Sequence, residues 1–132
     1  MADVTIRHGS KDDVDEILAF WRLAAEGTDR RDSPEAYLTL VGRDPQAVLV
    51  AEIDGAMVGT LLAGWDGWRA HLYRLAVHPE HRRRGIARRF QALGAMRSDA
   101  MVLDDNTSAH PTWADSGYSR QPECSRWVKL LK

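Results

Sequence analysis

The dipeptide Asp54-Gly55 constrains the fold more than any other feature of the sequence, because it separates two runs of apolar and β-branched residues. Asp-Gly between such runs is a strong signal for a two-residue β-hairpin turn. Residues 47–53 and 57–63 are therefore predicted to pair antiparallel. A third run of the same kind, residues 70–77, follows after a loop and ends at Pro79. Three such consecutive runs predict an antiparallel meander.

Helices and further strands are predicted on both sides of this meander. Ser10, followed by two acidic residues, is typical of a helix N-cap, and Ser33-Pro34 predicts the start of a second helix. The other predicted elements are a short first strand at 4–6, a helix at 85–96, a strand at 100–103, a short helix at 109–116 and a last strand at 124–131. A strand, a crossover helix and a second strand form a parallel pair. The order predicts an α/β (α+β) fold with a mixed, mostly antiparallel central sheet flanked by helices.

The composition is that of one globular domain spanning residues 1–132. Hydrophobic residues make up 44% and charged residues 28% of the chain, which excludes disordered, collagen-like and mucin-like chains. Cys124 is the only cysteine, so neither an intrachain disulfide nor a cysteine-based metal site can form, and we predict no metal. The amino terminus lacks an apolar signal core, and no apolar run reaches about 18 residues. We therefore expect a cytoplasmic protein without a membrane partner.

Positive charge is concentrated in one short segment. The chain has 18 basic and 19 acidic residues, a net charge of −1, and residues 81–89 contain five arginines and no acid. Without those five, 13 basic residues stand against 19 acidic ones, a charge of −6. A cationic spot on an acidic body predicts a small polyanionic ligand such as a phosphate ester. Because the basic residues lie within one turn, a nucleic-acid partner is disfavoured.

The same segment has the local chemistry of a phosphate site. Arg82, Arg83 and Arg84 follow the third strand of the meander, and Gly85 and Ala87 lie where the next helix is predicted to begin. The first N–H groups of a helix lack internal partners, and small residues let a ligand approach them closely. Neither G-x-x-x-x-G-K-[ST] nor G-x-G-x-x-G is present, which argues against a P-loop and against a dinucleotide-binding Rossmann site.

Two motifs resemble signatures of the GNAT N-acetyltransferases. Arg82-x-x-Gly85-x-Ala87 resembles the acyl-CoA motif [QR]-x-x-G-x-[GA] of that family, and the preceding Leu75-Ala76-Val77-x-Pro79 is similar to its fourth strand. Asn106-x-x-Ala109-x-x-x-Trp113-x-x-x-Gly117-Tyr118 resembles the downstream pattern N-x-x-A-x-x-x-Y-x-x-x-G-[FY]. The element order from residue 3 to 131 agrees as well. The resemblance implies an acetyl-CoA-dependent enzyme that acetylates a primary amine of a small molecule or peptide by direct attack.

The resemblance also implies how acetyl-CoA is held. Backbone amides from Arg83 to Arg88 would bind the pyrophosphate, and main-chain groups of Leu75 and Val77 would pair with the pantetheine arm. A bulge in the fourth strand would splay it from the fifth and leave a slot for the thioester. The cofactor-binding residues implied are Leu75, Ala76, Val77, Arg82, Arg83, Arg84, Gly85, Ile86, Ala87, Arg88, Asn106 and Trp113. Homodimers are common in this family, and the sequence leaves the acceptor and the oligomeric state open.

His71 is the leading candidate for the general base. An ammonium group must lose a proton before it can attack, and imidazole changes charge near neutral pH. Strict alternation along the strand would place His71, Tyr73, Leu75 and Val77 on one face. Residues 70–78 look like the arylalkylamine N-acetyltransferase branch, in which a histidine matching His71 helps deprotonate the amine through water. Tyr73 is either a second polar group or an aromatic wall.

Trp113 stands where the family usually has the tyrosine that protonates the leaving thiolate. Indole donates an N–H but cannot deliver a proton at a useful pKa. Three alternatives stay open: Tyr118 or Tyr73 acts as the acid, the thiolate leaves without assistance, or the protein binds CoA without catalysis. The last of these makes a catalytically silent CoA-binding module the alternative function.

Overall fold

The computed structural model describes residues 3–24, 32–65, 68–81, 97–100, 102, 107, 109–115, 117–125, 127 and 129. In these ranges the strands are β1 (Thr5–His8), β2 (Val48–Ile53), β3 (Ala56–Trp65), β4 (Arg69–Val77) and β5 (Arg97–Ala100), and the helices are α1 (Val14–Ala24), α2 (Pro34–Arg43) and α3 (His110–Asp115). Short 3₁₀ turns lie at Lys11–Asp13 and Pro79–His81. The sheet order is β1-β2-β3-β4-β5. Pairing is antiparallel from β1 to β4 and parallel between β4 and β5. The predicted mixed, mostly antiparallel sheet is confirmed.

The chain turns form as their sequences predict. Asp54 and Gly55 both have positive φ, 51° and 80°, which is the conformation of a type I′ hairpin turn. The Ser10 hydroxyl accepts a hydrogen bond from the Asp12 N–H at 3.2 Å, while the Asp13 carboxylate accepts one from the Ser10 N–H at 2.7 Å. This reciprocal arrangement is a capping box. Ser33 likewise caps α2 through the Ala36 N–H at 3.1 Å.

Two predicted strands differ from the structure. β5 lies at Arg97–Ala100 rather than at 100–103. The last predicted strand, at 124–131, is wrong wherever the structure describes it, because Cys124, Ser125, Trp127 and Lys129 are not in a strand. The Cys124 N–H instead closes a turn onto the Gln121 carbonyl at 3.2 Å. An apolar run becomes a strand only where a sheet edge pairs with it, and Trp127 is 93% exposed. The predicted crossover helix at 85–96 lies outside the described residues.

Apolar side chains cover both faces of the sheet. One cluster, the helix-side core, joins α1 and α2 to the sheet and includes Ile17, Trp21, Tyr37, Val50 and Leu62. The other cluster, the α3-side core, includes Ala51, Val58, Leu61, Leu72 and Trp113. Along β2, adjacent apolar residues alternate between the two clusters, as the period of a β-strand requires. Within the described residues, no helix is long and apolar enough to cross a lipid bilayer.

A charged network fastens β1 to the start of the helical layer. The Arg7 guanidinium donates to both carboxylate oxygens of Asp13, at 2.8 and 2.9 Å, and to Glu52 at 2.8 Å. The hydrogen bonds from Arg7 lower the pKa of the Asp13 carboxyl, and the Ser10 N–H acts in the same direction. The capping residue of the first turn is therefore also the ion-pair partner of the sheet.

Candidate functional site

A β-bulge interrupts β4 at the point where the site is expected. Thr60 pairs with Ala76 and Leu62 pairs with Tyr73, so one β3 residue lies opposite the two β4 residues Arg74 and Leu75. Arg74 has φ 56°, in the left-handed region that non-glycine residues rarely adopt. Such an insertion bends a strand and increases its twist. The bulge that the family resemblance implies is present.

The described pairing between β4 and β5 lies on one side of this bulge. It runs from Arg69↔Arg97 to Leu72↔Ala100, and the bulge begins two residues beyond Leu72. Leu75, Ala76 and Val77, expected to line the pantetheine arm, all lie at or after the bulge. That arrangement suits a strand edge that separates from its parallel neighbour. The splay itself stays a prediction, because most of residues 101–106 lie outside the described residues.

The bulge overturns one expectation about β4. Leu72, Leu75 and Val77 pack against the α3-side core, whereas Tyr73 and Ala76 belong with the helix-side core. The prediction that His71, Tyr73, Leu75 and Val77 share a face is therefore wrong. One extra residue at the bulge shifts the alternation, so residues after it face the opposite way from residues before it.

His71 and Tyr73 do lie together, on the helix-side face before the bulge. Their ring centroids are 5.9 Å apart with an interplanar angle of 42°. His71 is exposed, and its register partner on β3 is Gly64, where the one described atom that an added Cβ would meet is the His71 carbonyl oxygen at 3.9 Å. The described residues therefore leave room beside His71 for a side chain at position 64. Burial raises the pKa of the Tyr73 phenol, with a smaller opposing effect from Arg74. Tyr73 is thus neutral at physiological pH and a weak acid.

Trp113, Gly117 and Tyr118 form the end of α3. The Tyr118 N–H donates to the Trp113 carbonyl and the Gly117 N–H to the Ala114 carbonyl, both at 3.0 Å, and Gly117 has φ 91°. These bonds define a Schellman motif, which commonly carries an apolar contact between the two residues found here. The Trp113 and Tyr118 rings meet edge to face with centroids 5.0 Å apart. The spacing W-x-x-x-G-Y thus has a structural cause in addition to any functional one.

A 3₁₀ turn leads from β4 towards the basic segment. The His78 Nδ1 accepts from the Glu80 N–H at 3.1 Å, and the His78 and His81 ring centroids are 5.5 Å apart. The buried Nδ1 of His81 has no hydrogen-bond partner within the described part of the chain. One potential ligand atom from each of His78, Glu80 and His81 lies within 4.8 Å of the other two, a spacing at which the three could bind one metal ion. The hydrogen bond to His78 Nδ1 places the proton of a neutral ring on Nε2, which opposes ligation there.

The remaining predicted cofactor residues lie outside the described residues: Arg82, Arg83, Arg84, Gly85, Ile86, Ala87, Arg88 and Asn106. Their assignment stays a prediction. Trp113 is described and is only 7% exposed, within the α3-side core. It faces the side of the sheet opposite to His71 and Tyr73.

Three polar residues next to the bulge were missed by sequence reasoning. Thr60 is fully buried in β3, and its hydroxyl accepts from the Trp21 indole N–H at 2.9 Å and donates to the Arg74 carbonyl at 3.3 Å. The Arg74 guanidinium lies 4.9 Å from the centre of the Trp21 ring. The available signal was a lone hydroxyl residue in an otherwise apolar strand, since a buried polar side chain needs a partner.

Comparison with known proteins gives one consistent picture. The model of the acetyltransferase (GNAT) family matches residues 12–118. An acetyltransferase of Yersinia pestis (strain Pestoides F) is 30% identical over 134 residues, covering 96% of this chain and 95% of the relative. The solved structure of aminoglycoside N-acetyltransferase AAC(6')-Iy with CoA aligns with TM-score 0.72 and 18% identity, over 100% of this chain and 96% of that one. Diaminobutyrate acetyltransferase of Paenibacillus lautus, with its substrate and coenzyme A, aligns with TM-score 0.71 and 22% identity, over 87% and 75%.

Proposed function

We propose how this chain, which belongs to the GNAT family of acetyltransferases and is an acyl-CoA-dependent N-acetyltransferase, carries out its reaction. In this proposal a primary amine attacks acetyl-CoA directly and takes its acetyl group, and His71 is the general base. The observation that carries the proposal is the position of His71. An exposed imidazole lies three residues before the β4 bulge, and its register partner Gly64 has room for a side chain among the described residues. A proton acceptor is thus available next to the expected thioester slot.

The acceptor proposed is a primary amine of a small molecule or peptide. The two aligned structures are described as an aminoglycoside and a diaminobutyrate acetyltransferase, and both of those substrate classes carry primary amines. Outside the arginine segment the chain has an excess of six acidic charges, so its body attracts cations. An ammonium ion fits that field, and it reaches His71 from solvent.

The proposed chemistry needs one proton transfer before bond formation. His71 accepts a proton from the bound ammonium, directly or through one water, and frees the nitrogen lone pair. The amine nitrogen then attacks the thioester carbon, so a C–N bond forms and the C–S bond breaks. The electron pair of that bond leaves on the CoA sulfur as a thiolate, and the acylated nitrogen loses its second proton to solvent. The thiolate takes one proton from solvent to become the CoA thiol, and His71 returns its proton to solvent. The products are the acetylated amine, CoA and one released proton.

The acetyl donor is held, in this proposal, by main-chain groups of Leu75 and Val77 and by the amides of residues 83–88. Two facts support it. Leu75 and Val77 lie at or beyond the bulge, past the last described pair between β4 and β5. The 3₁₀ turn at Pro79–His81 directs the chain from the end of β4 into the arginine segment.

The experiment is a pH–rate comparison of wild type and His71→Ala, read as CoA release with a thiol reagent over a panel of primary amines. We expect kcat to fall roughly 10²-fold with the Kd for acetyl-CoA unchanged. The wild-type rate should rise with pH, because a general base must be deprotonated to act, and that rise should vanish in the variant. His8→Ala, an exposed histidine on β1, is the matched control.

Two results would contradict the proposal. Identical pH profiles in wild type and His71→Ala would place the base elsewhere. Acetyl-CoA binding without CoA release for any amine would favour the catalytically silent CoA-binding module. That alternative arises because Trp113 stands where the family usually has a tyrosine.

A further inference from the structure

We propose that Trp21, Thr60 and Arg74 are positioning residues that hold the β4 bulge in the shape that receives the acyl-CoA thioester. The proposal rests on the function proposed above and adds the polar contacts that maintain its slot. These residues touch the bulge from the helix-side face. They are expected to act on acetyl-CoA through the backbone of β4 rather than by contact with it.

The bulge is a conformation that needs support. Arg74 has φ 56°, and an L-residue with a Cβ is strained in that region, so surrounding contacts must over-determine it. Without them, the bulge could be lost, and β4 would then re-pair with β3 one residue further along. A shift of one position would exchange the two faces for every following residue of β4, including Leu75 and Val77.

Thr60 supplies the first contact, and its direction is fixed. The indole N–H of Trp21 can only donate, so the Trp21 bond at 2.9 Å occupies a lone pair of the Thr60 oxygen. The hydroxyl proton is then left for the Arg74 carbonyl, at 3.3 Å. Thr60 is 0% exposed, so no water competes for that proton. A relay of two bonds therefore runs from α1 through β3 to the strained residue of β4.

The Arg74 side chain supplies the second contact. Its guanidinium lies over the Trp21 ring, 4.9 Å from the ring centre, and forms an ion pair with Asp32. The Arg74 side chain is only 10% exposed. Trp21 thus engages both ends of the same residue, its carbonyl through Thr60 and its guanidinium through the ring face. Asp32 immediately precedes the Ser33 cap of α2, so the ion pair links the bulge to both helices.

The principal test is Thr60→Val, which keeps the branched shape and removes both hydrogen bonds. We expect the KM for acetyl-CoA to rise about tenfold, which corresponds in free energy to the net contribution of roughly one hydrogen bond. The KM for the amine should stay unchanged. Thr60→Ser should restore wild-type values, since it retains the hydroxyl. Thr5→Val, an exposed strand threonine on β1, is the control for the same chemical change. Equal changes in both KM values, or no rescue by serine, would overturn the proposal.

A pair of Arg74 variants separates backbone shape from side-chain contact. Glycine adopts positive φ without strain, whereas alanine does not. If the bulge geometry is what matters, Arg74→Ala should raise the KM for acetyl-CoA more than Arg74→Gly does. The reverse order would overturn the proposal.

Hydrogen exchange in peptides covering residues 72–77 separates this proposal from the proposed function. Exchange should be faster in Thr60→Val than in wild type whether or not any amine is acetylated. Faster exchange in an inactive protein would leave the positioning role standing while removing the acetyltransferase reaction. Unchanged exchange would remove the positioning role alone.

Discussion

Replacing Trp113 by tyrosine tests whether the missing phenol limits the reaction. Trp113 is 7% exposed, packs with Leu61 and Leu72, and meets the Tyr118 ring edge to face at 5.0 Å. The bonds of the α3 cap are made by the main chain, at the Trp113 carbonyl and by the N–H groups of Gly117 and Tyr118. The substitution leaves them in place, so we expect Trp113→Tyr to fold.

The effect on stability follows from burial. Truncation of a buried tryptophan to alanine costs about 3–5 kcal/mol, and tyrosine keeps one aromatic ring, so the packing loss should be about 1–2 kcal/mol. The new hydroxyl enters an apolar cluster, and an unpartnered hydroxyl adds about 1 kcal/mol or more. A total near 2–3 kcal/mol lowers Tm by about 5–12 °C in a chain of this size. Trp113→Phe, which adds no hydroxyl, should lose about 1 kcal/mol less.

The rate should stay flat or fall. A thiol with a reference pKa near 8.5 leaves readily as a thiolate, so a phenol has little to add. The assay is CoA release between pH 6 and about 11, with Trp113→Phe as the size control and Tyr118→Phe as the test of the nearby phenol. A gain of about tenfold in Trp113→Tyr, with a new loss of rate as the phenol ionises near 10, would refute this reasoning. It would show that proton delivery to sulfur limits the wild type.

Two further variants test the support of the fold and the space at the site. Asp13→Asn should lower the free energy of unfolding by about 2 kcal/mol near pH 7, because it removes charge-assisted bonds to Arg7. Folding lowers the pKa of Asp13, so its contribution to stability is present above the unfolded pKa of about 3.9 and is lost as pH falls through the folded pKa. Urea unfolding should therefore show a smaller difference in stability between wild type and Asp13→Asn near pH 3 than at pH 7. An equal difference at both pH values would contradict this. Gly64→Val should fold, because among the described residues an added Cβ meets one oxygen, at 3.9 Å. It should raise the KM for bulky amines several-fold without changing the KM for acetyl-CoA. Unchanged KM values for every amine would exclude Gly64 from the acceptor site.

Features determined by local chemistry were predictable from the sequence. Asp54-Gly55 adopts the two positive φ angles of its turn, and Ser10 and Ser33 cap the helices that they precede. In each case a side chain, or its absence at glycine, determines the backbone conformation of the nearest three or four residues. The GNAT resemblance was equally accessible, because its motifs are short and their residues chemically specific.

Features determined by distant partners were not predictable. The shift of Leu75 and Val77 to the α3-side face depends on an extra residue in β4, and no glycine marks that position because Arg74 occupies it. Contacts from Thr60 and Trp21, 14 and 53 residues away along the chain, support it. The strand predicted at residues 124–131 is wrong for a related reason. These residues have strand propensity, but their described part has no neighbouring strand to pair with and forms none.

The proposed base and the residue at the family's usual tyrosine position lie on opposite faces of β4. His71 and Tyr73 lie on the helix-side face, whereas Trp113 and Tyr118 pack in the α3-side core together with Leu72. A proton that His71 takes from the amine is therefore not expected to pass to Trp113 or Tyr118. Because His71 is exposed, solvent is the natural destination for its proton. A thiolate that leaves unaided completes such a scheme without the tyrosine that Trp113 replaces.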